Sequence, residues 1–303
     1  MTRPSRDSKA GQVYLDLQAR ARREHRPTDE LFEMYILERF LYRLSVSTHR
    51  DRLVLKGGML LAAFDERRPT RDVDLLARET NNEVGEISSL IKDVLAVEVD
   101  DDVTYDGDGL SASTIREQDP YMGVRIKVPA RLHRAAQTLR IDLNVGDPVT
   151  PGPVDIAYPA LLESPFAILG YPIETVLAEK IVTMVDRGDT TTRERDFADV
   201  YVLTGRHTVE ALTLRSAIEA TASHRESELR QLRDALSRLG PTRQADWGRF
   251  VERSGLGGSV PASYEDVIDA VASFADPILS GEIINGHWDA AARKWDHNPA
   301  RVT

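Results

Sequence analysis

Residues 52–76 run Arg52-Leu-Val-Leu-Lys56-Gly57-Gly58-Met59, continue through Leu-Leu-Ala-Ala-Phe64 and Arg68-Pro69-Thr70, and end in Arg71-Asp72-Val73-Asp74-Leu75-Leu76. The apolar run from Arg52 to Leu55 predicts a strand, and Met59–Phe64 predicts a helix after a Lys56-Gly57-Gly58 turn. A second strand is expected over Asp72–Leu76, after the Arg68-Pro69-Thr70 turn. Side chains alternate along a strand, so Asp72 and Asp74 project to one face while Val73 enters the core. Two neighbouring carboxylates repel each other and persist readily when a divalent cation neutralises them. A solvated strand end with two acids gives the same local pattern. The glycine pair narrows the choice. Consecutive glycines let backbone N–H groups approach a phosphate closely, and a helix N-terminus adds a favourable dipole. Gly-Gly alone serves any turn. Beside Asp-x-Asp on the adjacent strand, it describes a seat for a triphosphate and a metal ion.

A third acid is available in the alternating stretch Leu139–Val145, where Asp142 shares a face with Arg140 and Asn144. It can complete a two-metal site or take the proton of an attacking hydroxyl; alone it is an exposed strand position. Lys180 falls within the apolar stripe of a helix expected over Glu174–Arg187. Burial of an ammonium there calls for an anion, either an acid of the protein or a bound triphosphate, unless the stem snorkels to water. Asp199, in Arg195-Asp196-Phe-Ala-Asp199-Val-Tyr, is equally ill placed for solvation, and a pairing of Asp199 with Lys180 would orient the lysine. Asp196 reads as a favourable charge at the start of a helix.

Composition bounds these readings. The chain has 303 residues, 41% hydrophobic and 29% charged, with a formal net charge of −10. No apolar run is long enough to cross a membrane, and the Arg-rich N-terminus has no signal core, so a cytoplasmic protein is expected. The absence of cysteine excludes disulfides, thiolate metal sites and a cysteine nucleophile, and the seven histidines show no zinc-ligand spacing. Between Tyr121 and Arg140 the bases Arg125, Lys127, Arg131, Arg134 and Arg140 accompany His133 without an acid. They suit a phosphate backbone or form a solvated basic face. The Asp100-Asp101-Asp102 and Asp106-Gly107-Asp108-Gly109 run lacks the twelfth-position Glu of a calcium loop and reads as a hairpin turn.

The expected fold is mixed α/β, with flanking helices and a helical C-terminal region. A polar segment spans 1–26, an α/β domain 27–170 and a helical domain 171–303. The first half carries helices over Glu30–Ser45 and Asn82–Val97. Its further strands are expected in Val97–Tyr105, Leu110–Arg116, Tyr121–Val128 and Thr138–Val145. Beyond Pro172, helices are expected over Glu174–Arg187, Arg193–Thr204, Val209–Ala222, Glu226–Leu239, Ser263–Leu279 and His287–Trp295.

Taken together, Arg52-Leu-Val-Leu-Lys56-Gly57-Gly58, Arg68-Pro-Thr70-Arg-Asp72-Val-Asp74-Leu-Leu, Ala178-Glu-Lys180-Ile and Arg195-Asp-Phe-Ala-Asp199-Val-Tyr resemble the AbiEii/AbiGii toxin nucleotidyltransferases. These belong to the DNA-polymerase-β-like nucleotidyltransferase superfamily. The resemblance covers Glu30 to Gly205, and more loosely Phe274–Pro277 and Trp288–Trp295. It implies a nucleotidyltransferase-fold mixed sheet and a toxin of a two-gene toxin–antitoxin or phage-defence system, with a cognate antitoxin protein. It also implies an NTP substrate, Mg2+, and an RNA acceptor such as the 3′ end of tRNA, whose extension blocks translation. By motif, Asp72 and Asp74 would bind metal with Asp142 as the third carboxylate. Lys180 would contact the triphosphate and Asp199 would be the essential acid of the last motif. The superfamily often has Ser after Gly-Gly, where this chain has Met59. The phosphate grip would then fall to backbone N–H groups with Lys56 or Arg71. Thr70 would place a hydroxyl at the site mouth, open to silencing modification. Two other readings stay open: transfer to a protein or small molecule, and a catalytically silent module that binds a partner.

Overall fold

The computed structural model of the chain describes residues 4–80, 83–116 and 122–296. The expected helix start at Asn82 and strand start at Tyr121 lie outside the described residues. The chain forms two units, Met1–Asp147 with Val154–Gly170, and Pro148–Pro153 with Tyr171–Thr303. Among the described residues no helix is long and apolar enough to cross a membrane.

The first unit opens with α1 (Lys9–Arg23) and α2 (Thr28–Val46). The strand β1 (Leu53–Lys56) leads into one turn of helix, α3 (Gly57–Leu60), which tightens to 3-10 geometry over Leu61–Phe64. Then follow β2 (Val73–Ala77), α4 (Val84–Leu95), β3 (Val103–Tyr105), β4 (Ser111–Arg116), β5 (Met122–Leu132), β6 (Ala135–Val145), β7 (Val154–Tyr158) and β8 (Phe166–Gly170). They build an eight-stranded mixed sheet in the order β3-β5-β6-β2-β1-β8-β7, with β4 on the same strand β5. The pairs β2–β6 and β1–β8 are parallel, and the others are antiparallel.

Alternation decides what each face of this sheet does. On β5, Val124, Ile126, Val128, Ala130 and Leu132 are buried, while Lys127, Pro129 and Arg131 are exposed. The buried face extends through Leu139, Ile141 and Leu143 of β6 and Val73, Leu75 and Ala77 of β2. Helix α2 packs against it with Leu31, Met34, Leu37, Phe40, Leu41 and Leu44, the helical spacing that its sequence displays. The opposite face carries the polar residues described below.

Within the polar N-terminal segment expected over 1–26, Lys9–Arg23 form the helix α1 of the first unit. Val13, Tyr14, Leu17 and Ala21 recur at helical spacing and are buried, a stripe that the surrounding arginines obscure. Ser8 caps it by accepting the Gly11 N–H. The Asp100–Asp102 run also holds more than a turn. Asp101 is 2% exposed and accepts from Arg39 at 3.1 Å and from Arg43 at 2.5 and 2.9 Å, which ties β3 to α2. Asp106 closes the following turn by accepting the Gly109 N–H at 3.0 Å.

The second unit contains α5 (Ile173–Arg187), α6 (Glu194–Thr204), β9 (Val209–Glu210), α7 (Ala211–Arg225), α8 (Leu232–Ala235), α9 (Leu239–Ser254), α10 (Tyr264–Leu279), β10 (His287–Asp289) and β11 (Lys294–Trp295). The residues 148–153 belong to it. Helix α10 touches α6, α7, α8 and α9 and forms its centre.

Two expected helices take other forms here. Glu226 adopts a left-handed backbone (φ 54°) that ends α7, so the helix expected over Glu226–Leu239 shrinks to α8. The Asp276 carboxylate starts α8 by accepting the Leu232 N–H at 2.5 Å, a partner supplied from a distant helix. His287–Trp295 is a hairpin: β10 pairs with β11 and with β9 in a three-stranded sheet. Trp288 and Trp295 face each other across it, and their indoles donate to the Thr204 and Phe274 carbonyls at 2.7 and 2.9 Å. A spacing of two helical turns thus serves as a cross-strand pair. Helix α9 escapes sequence reading because Gly240, Pro241 and Gly248 dilute its pattern; the fully buried Trp247, stacked on Tyr264 at 4.8 Å, anchors it.

Candidate active site

The open face of the sheet gathers the acids of the first unit. In the parallel pair β2–β6, Asp74 lies directly beside Asp142. The same row continues through Arg125 of β5 and Ser113 of β4 on one side and Lys56 of β1 on the other. In-register neighbours share a face, so the row reads Ser113, Arg125, Asp142, Asp74, Lys56, with two anions between two cations.

The glycine turn closes on this row. Gly57 has φ +64°, and a Cβ added to it would fall 1.9 Å from Asp74 Oδ2. Only glycine meets both demands. The Gly58 N–H lies near the Asp74 carboxylate and favours its charged form. Burial pushes the Asp74 carboxyl up to about 7; the charges of Asp72 and Asp142 add to this, and Lys56 and the Gly58 N–H oppose it. Lys56 itself donates to Asp147 at 2.7 Å. Met59, where a serine was the alternative, is 2% exposed, with its sulfur 4.0 Å from the Tyr158 hydroxyl. It serves the core.

Thr70 is 6% exposed. Its hydroxyl donates to the Arg68 carbonyl at 3.3 Å, and it lies so close to Gly58 that a Cβ there would stand 2.7 Å from it. The side chain fits against the glycine turn. Arg71 is exposed.

Asp72, Asp74 and Asp142 are thus brought to one patch, but their oxygens do not converge. Asp142 accepts two bonds from Arg125, from Nε at 2.8 Å and Nη2 at 2.5 Å. Among the described residues no group of three or more His, Asp or Glu is gathered closely enough to hold a metal ion. The donor set nonetheless suits a divalent cation. Three hard oxygen donors share one patch, and Asp74 is held against like charge in a partly covered position.

Glu33 of α2 went unrecognised in the sequence. It accepts from Arg140 at 3.2 Å. Its carboxyl is raised by burial and further by the charge of Asp72, while Arg140 and Arg71 pull it down. It is a fourth acid beside Asp72. Its signal was masked because it sits in a helix otherwise read for its apolar stripe.

The basic residues part ways. Arg125 and Arg140 are engaged by Asp142 and Glu33. Arg134 donates to the Tyr14 hydroxyl at 3.0 Å and stacks over its ring. Lys127 and Arg131 are exposed on the open face. A cavity of about 270 Å³ lined by Tyr105, Pro129, Arg131 and Gln137 lies toward the far end of β5 from Arg125.

In the second unit, Lys180 of α5 donates to Asp199 at 2.7 Å, and also to Asp196 at 2.7 Å. Asp196 therefore does more than favour a helix start. It accepts from Arg193 at 2.6 Å, and although burial opposes it, Lys180 and then Arg193 hold its carboxyl below the ordinary carboxylate range. The two acids fix the ammonium in place.

Comparison with known proteins agrees with the motif order. Residues 39–270 match the model of a family described as nucleotidyl transferase AbiEii toxin, type IV toxin–antitoxin system. None of the curated proteins compared with the chain matches it. Among solved structures, JHP933 from Helicobacter pylori is 14% identical, with 83% of this chain and 92% of that one covered and a TM-score of 0.47. A second H. pylori structure, described as a candidate nucleotidyltransferase, is 14% identical, with 83% and 95% covered and a TM-score of 0.45.

Proposed function

Because the chain belongs to the AbiEii nucleotidyl transferase toxin family of type IV toxin–antitoxin systems, we propose that it transfers a nucleotide from an NTP to the terminal hydroxyl of an RNA, with tRNA as the acceptor. Modification of the acceptor end would stop translation in the cytoplasm, and a cognate antitoxin would counter it. The observation that carries this reading is the Asp74–Asp142 pair, side by side in register, with the Gly57–Gly58 turn seated on Asp74.

The reaction is an in-line displacement. The oxygen of the acceptor hydroxyl forms a bond to the α-phosphorus, the bond from that phosphorus to the bridging oxygen breaks, and pyrophosphate leaves. The hydroxyl proton passes to the carboxylate cluster. Such chemistry asks the protein mainly to position reactants and balance charge. Mg2+, held by Asp72, Asp74 and Asp142, would neutralise charge on the triphosphate. Lys56 and Arg71 supply cations beside the acids, and Lys127 and Arg131 offer the acceptor backbone an exposed basic edge. Lys180, held by Asp196 and Asp199, is assigned the triphosphate contact on the strength of its motif.

The test is transfer of labelled NTP to purified tRNA by the wild type, Asp72→Ala and Asp74→Ala. Loss in both variants with unchanged circular dichroism supports the reading; full transfer by both sinks the metal assignment. Parallel assays on protein and on small metabolites decide between acceptors. The Arg125 fork on Asp142 also suits a catalytically silent module that binds a partner. Magnesium-dependent NTP binding by calorimetry separates the two, since such a module binds none.

A further inference from the structure

We infer that Arg125 is a positioning residue that acts as a resident counter-cation, holding Asp142 until a divalent ion takes its place. This rests on the proposed metal site. The row across the sheet sets two anions between two cations. Asp74 and Asp142 are adjacent in register, and each has its own cationic neighbour, Lys56 on β1 and Arg125 on β5. Two carboxylates on neighbouring strands would repel if nothing stood between or beside them. Lys56 offsets the charge of Asp74, with a smaller contribution from the nearby Gly58 N–H. Asp142 is relieved through the bidentate fork of Arg125, at 2.8 and 2.5 Å.

That fork covers both oxygens of Asp142, the acid that would complete the donor set. The Asp142 side chain is 8% exposed and that of Arg125 is 40% exposed. The acid is therefore the more enclosed of the two, and the guanidinium sits at the solvent edge. A divalent ion entering beside Asp74 has to win an Asp142 oxygen from Arg125. The arginine thus stabilises the sheet without metal and weakens the first binding of metal. Only a guanidinium does this fully, since an ammonium cannot grip both oxygens.

The experiment is a Mn2+ titration of the full chain, read by loss of the free-ion electron paramagnetic resonance signal, with thermal melting in the absence of metal. Arg125→Gln is expected to bind Mn2+ about three- to fivefold more tightly, the scale of releasing a partly exposed ion pair, and to melt lower without metal. Arg125→Lys falls between. Lys127→Gln removes the same charge from the same face of β5 without freeing Asp142, and is expected to shift the affinity by less than about twofold. Asp142→Asn in the Arg125→Gln background cancels the gain. Equal affinities in Arg125→Gln and the wild type, or an equal gain in Lys127→Gln, overturn the inference. If the wild type binds no Mn2+, or Asp74→Asn binds it as well as the wild type does, the underlying metal site fails, a result distinct from the other two.

Discussion

Replacing Gly57 with alanine gives the sharpest check on how the site is built. The residue has φ +64°, and its missing Cβ would stand 1.9 Å from Asp74 Oδ2, 2.5 Å from Cγ and 2.7 Å from Cβ. Two costs follow. Holding alanine in the left-handed region costs about 1 kcal/mol. The clash falls on an aspartate side chain anchored on a strand, which must turn away from the glycine turn, and such overpacking costs about 1–3 kcal/mol. The sum is about 2–4 kcal/mol, or roughly 10 °C in melting temperature for a unit of this size. Thermal melting followed by circular dichroism measures the first consequence, and Mn2+ titration the second: Gly57→Ala should lose binding along with stability. A contrast comes from Gly58→Ala, whose added Cβ would meet Thr70 Oγ1 at 2.7 Å and Cγ2 at 3.0 Å. Thr70→Ala removes both atoms, so the double variant should recover much of the loss. If Gly57→Ala melts within about 2 °C of the wild type and binds Mn2+ normally, the close approach of the glycine turn to Asp74 is not a feature of the molecule.

Other expectations follow from buried charge and packing. Burial pushes Glu38 up to about 7, against the Leu161 N–H that donates to it at 3.0 and 2.8 Å. The folded chain then keeps this proton to higher pH than the unfolded one, so its contribution is fully present below the unfolded value near 4.5 and is lost as pH rises through about 7, some ~3 kcal/mol in all; urea unfolding at pH 5 and pH 8 should show the fall, and Glu38→Gln should flatten it, whereas parallel profiles would refute the assignment. Lys180→Met strips the ammonium from Asp196 and Asp199 and should cost about 3 kcal/mol in chemical denaturation, part of which Asp199→Asn in the same chain returns; an unchanged midpoint would mean the cluster contributes nothing. Trp288→Ala removes a 1% exposed indole and its bond to the Thr204 carbonyl, for an expected loss of about 3–5 kcal/mol; near-native stability would argue against the hairpin.

Some of this molecule is written in single elements. The alternation in Asp72-Val73-Asp74 and in Leu139–Val145 assigns faces without knowledge of any partner strand, because side-chain direction is a local property of an extended backbone. The stripe of α2 and the turn at Gly57-Gly58 are legible for the same reason. The motifs in order were enough to point to the family. What tertiary structure alone decided is which charges meet. That Asp142 stands beside Asp74, and that Arg125 rather than a solvent molecule holds it, depends on the register of three strands drawn from distant parts of the chain. The second acid on Lys180, the burial of Asp101 between Arg39 and Arg43, and the role of Glu33 beside Asp72 have the same origin. So does the hairpin of Trp288 and Trp295, whose spacing suits a helix until Thr204 and Phe274 offer carbonyls to both indoles. Periodicity records what one segment presents to its surroundings; a charge or a ring finds its partner only when packing brings remote segments to one place.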